Sequence, residues 1–368
     1  MEPFPAEAVG LLLDWYRYHA RPLPWRENKD PYRVLVSEIM LQQTRAETVK
    51  PYFARFLDRL PTLADLAGCP EDVLLKLWEG LGYYSRVRNL QKAARAVMER
   101  YGGVIPADFE SLLTLPGVGR YTAGAVASIA YDIPVPAVDG NVLRVVARLT
   151  GDSSDVMLAS TKSAVEAALA PAVPTPGAGD FTQSLIELGA LVCLPGEPAC
   201  ADCPVRLLCR AHREGREKEL PVRGARTARR LEQMTVLVLL LPPDGDGEER
   251  VVIRRRPDGG LLGGLYEFPH IPGHPGGDGV AVHLGSLGLS PGEVMPLGPA
   301  RHLFTHVEWQ MEGYAVQLPP DSTLPEGWLA VRCGEIRTDY AIPSAFSAYR
   351  TVLFPNAARK KRNDGKSG

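Results

Sequence analysis

Phe109-Glu110-Ser111-Leu112-Leu113-Thr114-Leu115, then Pro116-Gly117-Val118-Gly119, then Arg120 through Tyr131, reads as helix, tight turn, helix. Two glycines permit positive φ and a close backbone approach, and the second helix opens with free amide N–H groups. Those amides and the helix dipole suit a backbone phosphate, with no preference for base sequence. On these residues alone an ordinary Pro-Gly loop is the simpler reading. The residues farther along the chain decide against it.

Downstream, Cys193, Cys200, Cys203 and Cys209 follow the spacing C-x6-C-x2-C-x5-C, punctuated by Pro195, Pro198 and Pro204. Four thiolates so close together can surround one metal centre, and both a Zn(Cys)4 site and a [4Fe–4S] cluster use such a set. Ligand chemistry does not choose between them. Arg206, Arg210 and Arg213 around the loop would offer cations to phosphates. Cys69 and Cys333 lack partners by spacing and read as packing residues.

Apolar residues recur at helical spacing in Val34–Thr44, Asp72–Leu77, Leu90–Val97, Tyr121–Ile129, Val142–Leu149 and Phe181–Leu191. Asp30-Pro31 is a helix start, with Asp as N-cap and Pro in the first turn. Residues 1–213 therefore form an all-α domain. Residues 214–231 are polar and Arg-rich and read as a linker. Met234–Leu241 is a buried-strand run, Arg250–Arg254 its expected partner, and Arg301–Leu318 one long strand-like stretch. Residues 232–355 are thus an α/β (α+β) domain, and residues 356–368 a basic, disordered tail.

A chain of 368 residues suits two cores. Its 41 basic and 43 acidic side chains nearly cancel, so nucleic-acid affinity must come from local patches. The absence of a long apolar run speaks against a membrane span. With no basic, apolar leader at the N-terminus, a reducing, cytoplasmic setting is expected, and a monomer as the working form.

The hairpin, then Val138-Asp139-Gly140-Asn141-Val142, then the cysteine loop, resembles the endonuclease III superfamily of helix-hairpin-helix DNA glycosylases. Within it, Ser37-Glu38-Ile39-Met40-Leu41-Gln42-Gln43-Thr44 and Gly80-Leu81-Gly82-Tyr83-Tyr84 are similar to the A/G-specific adenine DNA glycosylases, the MutY family. The resemblance runs from about Leu23 to Cys209 and implies a [4Fe–4S] cluster on the four cysteines. It also implies double-stranded DNA carrying adenine opposite 8-oxoguanine as substrate, with the adenine flipped out for excision.

The residues fit that chemistry. Excision needs a proton for the base and stabilisation of a cationic sugar, which two carboxyls can supply. Glu38, among apolar neighbours, should have a raised pKa and act as the acid; the resemblance has it protonate adenine N7 and then activate water. Asp139, capping a helix, should be held ionised by the helix N-terminus. Asn141 would position Asp139 or the water. Tyr121 stands where the superfamily's strand-cleaving members carry a Schiff-base lysine, so the resemblance implies a monofunctional enzyme. Gly117, Val118, Gly119 and Arg120 would hold DNA, Gln42 and Tyr83 would wedge into the stack, and Leu23, Trp25, Arg26, Gln183 and Glu187 would form the adenine pocket.

Leu261 to Pro269 and Arg301 to His306 resemble the Nudix-like C-terminal domain of the same family. No acidic REUxEE-type helix is present, so that domain should bind and not hydrolyse. Phe304-Thr305-His306 stands where the family has Phe-Ser-His, and Thr305 retains the hydroxyl for 8-oxoguanine. Two alternatives remain at this level, an endonuclease III-like glycosylase of another damaged base and a non-catalytic DNA-damage binding protein.

Overall fold

The computed structural model describes residues 1–224, 228–243 and 247–354. They fall into two units, one built from residues 1–69 and 85–224, the other from 70–84 and 228 onward. The expected tail over 356–368 lies outside the described residues.

The helices run α1 Glu7–His19, α2 Pro31–Leu41, α3 Ala46–Arg59, α4 Leu63–Gly68, α5 Glu71–Leu77, α6 Ser85–Tyr101, α7 Phe109–Leu113, α8 Arg120–Tyr131, α9 Gly140–Thr150, α10 Ala159–Leu169, α11 Ala178–Leu191 and α12 Arg210–Glu214. All but α5 belong to the first unit. Asp30 caps α2 by accepting the Arg33 N–H at 2.8 Å. Asp139 caps α9, and Gly151 at φ 71° ends it. Every residue of α9 from Val142 to Thr150 is buried, so α9 is the central helix. Leu12 and Trp15 of α1 and Phe181, Leu185 and Leu188 of α11 pack in the same core as its Val142, Val146 and Leu149. Truncating one such leucine to alanine would cost about 2–5 kcal/mol.

Helices α1, α3, α4 and α10 lie outside the segments that sequence periodicity marks. The linker is also narrower than expected. α12 reaches Glu214, and Val222 O accepts the Val156 N–H at 3.1 Å, so the described residues up to 224 pack with the helical unit. Arg210, expected to offer its charge to phosphates, is instead paired with Glu2 and Glu214.

The second unit carries β1 Arg230–Leu241, β2 Arg250–Arg255, β3 Tyr266–Glu267, β4 His270–Pro272, α13 Gly276–Ser286, β5 Val294–Leu303, β6 Val307–Gln317, β7 Trp328–Arg332, α14 Glu335–Thr338 and α15 Ser347–Arg350. The sheet order is β3-β2-β1-β6-β5, with β4 also on β1 and β7 on β2. β1 and β6 pair in parallel from Arg230↔Val307 to Leu240↔Gln317, while the other pairings are antiparallel. Strand β1 is buried on both faces. Its Val236, Val238 and Leu240 enter one core with Phe268 and Trp309, and Leu237, Leu239 and Leu241 enter another with Val280 and Leu284.

Arg301–Leu318 is not one strand. β5 and β6 form an antiparallel hairpin with Leu303 opposite Glu308, so Phe304-Thr305-His306 is its tip. The short turn between the strands carries neither Gly nor Pro to mark it, while β5 itself holds Pro296, Gly298 and Pro299. α13, in the Gly-rich stretch, carries one carboxylate, Asp278.

Candidate active site and cysteine pocket

Helices α2, α8 and α9 of the helical unit meet around one open cleft of about 1430 Å³. That exceeds the roughly 300–1,000 Å³ of a small-molecule pocket. Glu38 comes to it from α2, Tyr121 from α8, and Asp139 and Asn141 from the start of α9.

Glu38 is 6 % exposed. Tyr121 Oη donates to its Oε2 at 2.5 Å. Burial pushes the Glu38 carboxyl up to about 7, with the Asp139 charge adding, while the Tyr121 hydrogen bond and Arg26 pull the other way. Burial and the two carboxyls hold the Tyr121 phenol well above its usual 10, so it stays protonated and donates.

Asp139 Oδ1 accepts the N–H groups of Asn141 at 2.8 Å and Val142 at 2.7 Å, and Oδ2 accepts Asn141 Nδ2 at 2.7 Å. The N-cap expectation is met, but the expected lowering of its pKa is not. Burial outweighs these donors, and the net direction is upward. The donors still matter for the proton's location. All three are N–H groups that favour an ionised acceptor, whereas Glu38 receives a single donor, the Tyr121 hydroxyl. When the pair holds one proton, it therefore resides on Glu38.

Two buried arginines that sequence spacing does not single out fix this arrangement. Arg144 Nη2 donates to Asn141 Oδ1 and Gly189 O, both at 2.9 Å, and its Nε donates to Cys193 O at 2.7 Å. Gly189 must be glycine for that contact. A Cβ there would stand 2.5 Å from Asn141 Cβ. Arg86 Nη1 donates to the carbonyls of Ile39 and Met40 at 3.0 Å and of Gln42 at 2.5 Å, satisfying the C-terminal end of α2. Beyond it Gln43, at φ 58°, takes a left-handed conformation and lines the cleft.

Leu23, Trp25, Arg26 and Gln183 line the same cleft. Glu187 does not. It is fully buried behind the cleft, with Arg21 Nε at 2.8 Å from one oxygen and Arg26 Nη2 at 2.9 Å from the other. Burial raises its pKa, but the two guanidinium groups outweigh that and bring it to about 2. It holds Arg26 and has no acceptor to spare for a base.

Gln42, Gly117, Gly119 and Arg120 also border the cleft. Gly117 has the expected positive φ, 74°, and any side chain on it would collide with Asn89. Gly119 does not. At φ −89° it is the N-cap of α8, and a Cβ there would point into open space. Val118 is buried, so its side chain is unavailable to a ligand. Arg120 Nε is 2.6 Å from Glu166. Gln42 Nε2 lies 3.4 Å from Thr122 Oγ1. Tyr83 falls in the other unit, at φ 47°, and its hydroxyl is 3.1 Å from Thr305 Oγ1 at the hairpin tip. Phe304 packs edge-on against Trp309, and Arg229 Nε donates to Phe304 O at 2.8 Å.

Cys193, Cys200, Cys203 and Cys209 line one small pocket, and none is in a disulfide. Burial and neighbouring thiols raise Cys200 and Cys209, and push Cys203 to about 12. Four thiols gathered in one pocket, three of them raised by burial, are a donor set suited to a cationic centre. Arg148 Nη1 lies 3.3 Å from Cys193 Sγ, ready to balance an anionic thiolate site. His212 and Glu217 sit 2.6 Å apart at the rim beside Cys200. The residues fit a thiolate-bound metal centre.

Residues 36–174 match the family described as HhH-GPD superfamily base excision DNA repair protein, and residues 243–351 match the NUDIX domain. A solved thermostable thymine-DNA glycosylase is 30% identical, with a TM-score of 0.51 over 56% of this chain and 96% of its own. Fold and site together define a base-excision repair protein with an HhH-GPD domain followed by a Nudix-like one. The adenine DNA glycosylase of Rattus norvegicus is 36% identical over 86% of this chain and 73% of its own, and that of Homo sapiens 34% identical over 87% and 69%. The chain belongs to the adenine DNA glycosylase family.

Proposed function

We propose that this protein excises adenine lying opposite 8-oxoguanine or guanine in duplex DNA, by hydrolysis, and leaves the strand uncut. The observation that carries this reading is the pair of buried carboxyls, one held by a phenol and one by N–H groups. Glu38 delivers its proton to N7 of the flipped adenine. The bond from the sugar to N9 then breaks, and the base leaves neutral. Asp139, ionised as that proton departs, stabilises the cationic sugar, and Glu38, now a carboxylate, takes a proton from the water that attacks it. Asn141 and Arg144 aim Asp139. Tyr121 aims Glu38 and, lacking an amine, forms no imine with the sugar.

The cleft accommodates a nucleoside with its flanking backbone, and Leu23, Trp25, Arg26 and Gln183 surround the base. The uncapped first-turn amides of α8, opposite the bare Gly119, receive a phosphate. Gln42 enters the stack. In the sheet unit, Thr305 with Tyr83 reads the 8-oxoguanine edge, supported by Phe304 and His306. The four cysteines hold a [4Fe–4S] cluster, which fixes their loop and adds no step to the excision. Its chemistry is that of a thiolate-ligated iron centre. No helix among the described residues is long and apolar enough to cross a membrane. The protein acts as a cytoplasmic monomer.

The deciding experiment is single-turnover excision on duplexes with adenine opposite 8-oxoguanine, with and without alkaline work-up. Cleavage after alkali alone is expected. Nicking without alkali refutes the monofunctional reading, and release of pyrimidines in place of adenine refutes the substrate. Purified protein should carry iron and sulfide, and zinc without iron would overturn the cluster.

A further inference from the structure

Leu220–Gly224 reads as linker, yet three contacts fix it to the helical unit. The buried Arg148 donates through Nε to Leu220 O at 2.8 Å. Val156 N donates to Val222 O at 3.1 Å. Gly224 lies so close to Asp155 that a Cβ on it would stand 2.6 Å from Oδ2. Asp155 is held in turn, accepting the Met157 N–H at 2.9 Å. Arg223 is therefore flanked by two fixed residues, and it lines the same cleft as Glu38 and Asp139, on the wall that carries Val156 and Met157.

Its charge is also uncommitted. Arg210 is paired with Glu2 and Glu214, Arg216 with Glu214 and Glu219, and Lys218 with Glu197. Around the cleft, Arg21 and Arg26 share Glu187, and Arg120 has Glu166. Among the described residues no carboxylate stands within ion-pair distance of Arg223. A linker needs no such anchoring, and a guanidinium held at a cleft wall without a counter-charge matches an anion that arrives from outside.

We propose that Arg223 is a phosphate contact of the excision cleft, binding the DNA backbone beside the nucleotide on which Glu38 and Asp139 act. The first residues of the connector thus complete the substrate site. This rests on the DNA reading above. The geometry also explains why Arg148 spends one guanidinium on two tasks, since the same side chain meets the cysteine pocket and anchors the connector.

The test is equilibrium binding of the full-length protein to a duplex with a tetrahydrofuran abasic-site analogue opposite 8-oxoguanine. Each neutralised phosphate contributes about 0.9 to the slope of log affinity against log salt. Between about 50 and 200 mM salt, Arg223→Ala should therefore lose about 3.5-fold less affinity than the wild type. Arg223→Lys should restore the wild-type slope. Arg17→Ala, an exposed arginine of α1 paired with Asp14, should leave it unchanged. A purely structural residue would lower thermal stability without moving the slope. Wild-type salt dependence in Arg223→Ala, or no rescue by lysine, overturns the inference. Failure of the wild-type protein to bind the duplex sinks the DNA reading instead.

Discussion

Glu38 in the helical unit and Glu267 in the sheet unit are both almost fully buried carboxyls, yet their protons behave in opposite ways. Glu38 has a phenol against it and a second carboxyl nearby, and burial raises it to about 7. Burial would raise Glu267 too, but His270, Arg256 and Arg254 together outweigh it and hold it below the ordinary carboxylate range. Arg254 Nε is 2.8 Å from Oε1, and His270 Nδ1 is 3.4 Å from Oε2, to which Arg256 also bonds. Depth alone therefore says nothing about reactivity. Company decides it: the helical unit keeps cations at a distance from its acid, and the sheet unit sets two arginines and a histidine around its own, beneath Trp309.

The comparison breaks most visibly at Glu38. Glu38→Gln should lower single-turnover excision by about 10²–10⁴-fold while retaining binding to lesion DNA. Wild-type turnover would remove the acid from the mechanism. Glu267→Gln should leave the chemistry intact and cost about 3 kcal/mol of stability, because Arg254 and Arg256 lose their counter-charge. Denaturant unfolding followed in the sheet unit checks it, and an unchanged midpoint would show these ion pairs to be idle.

The two carboxyls should also act at opposite ends of the pH scale. Glu38, raised on folding, contributes stability that is fully present below its unfolded value and lost as pH rises through about 7. Excision should fall through the same window as the acid form disappears. Glu267, depressed on folding, contributes stability present above its unfolded value and lost as pH falls through the folded one. Glu38→Gln should flatten the alkaline limb of stability and Glu267→Gln the acid limb. If either variant flattens the other's limb, the contrast is wrong. Tyr121→Phe removes a bond that lowers the Glu38 pKa, so the alkaline limb of excision should move to higher pH, by about one unit or less. The smallest effect belongs to the hairpin tip. Thr305→Val should narrow the rate preference for adenine opposite 8-oxoguanine over guanine by about 10-fold, the worth of one hydrogen bond.

Much of the frame was legible because single residues carry it. Asp30-Pro31 starts α2, Gly117 turns the hairpin, and Asp139 caps α9. Helix α1 carried a readable pattern in Ala8, Leu12, Trp15 and Tyr16, but no motif drew the eye to it. Helix α3 hides behind Pro51, which its exposed face tolerates. The two strands of the β5–β6 hairpin merge because their turn lacks the usual punctuation. In the site, acids and thiols announce themselves by type and spacing. Arg86, Arg144 and Arg148 do not, because nothing in sequence separates an arginine that braces carbonyls from one that waves in solvent. Glu187 fails for the same reason: its two guanidinium partners lie far away along the chain.

The close approach of Gly189 to Asn141 has a consequence for inheritance. Gly189 has no functional group and touches no substrate. Yet an alanine there would push Asn141 aside, loosen Arg144 and leave Asp139 misdirected, while the acid, the hairpin and the cysteines stayed intact. A mutator phenotype could thus arise from one added methyl group at a position with no chemistry of its own.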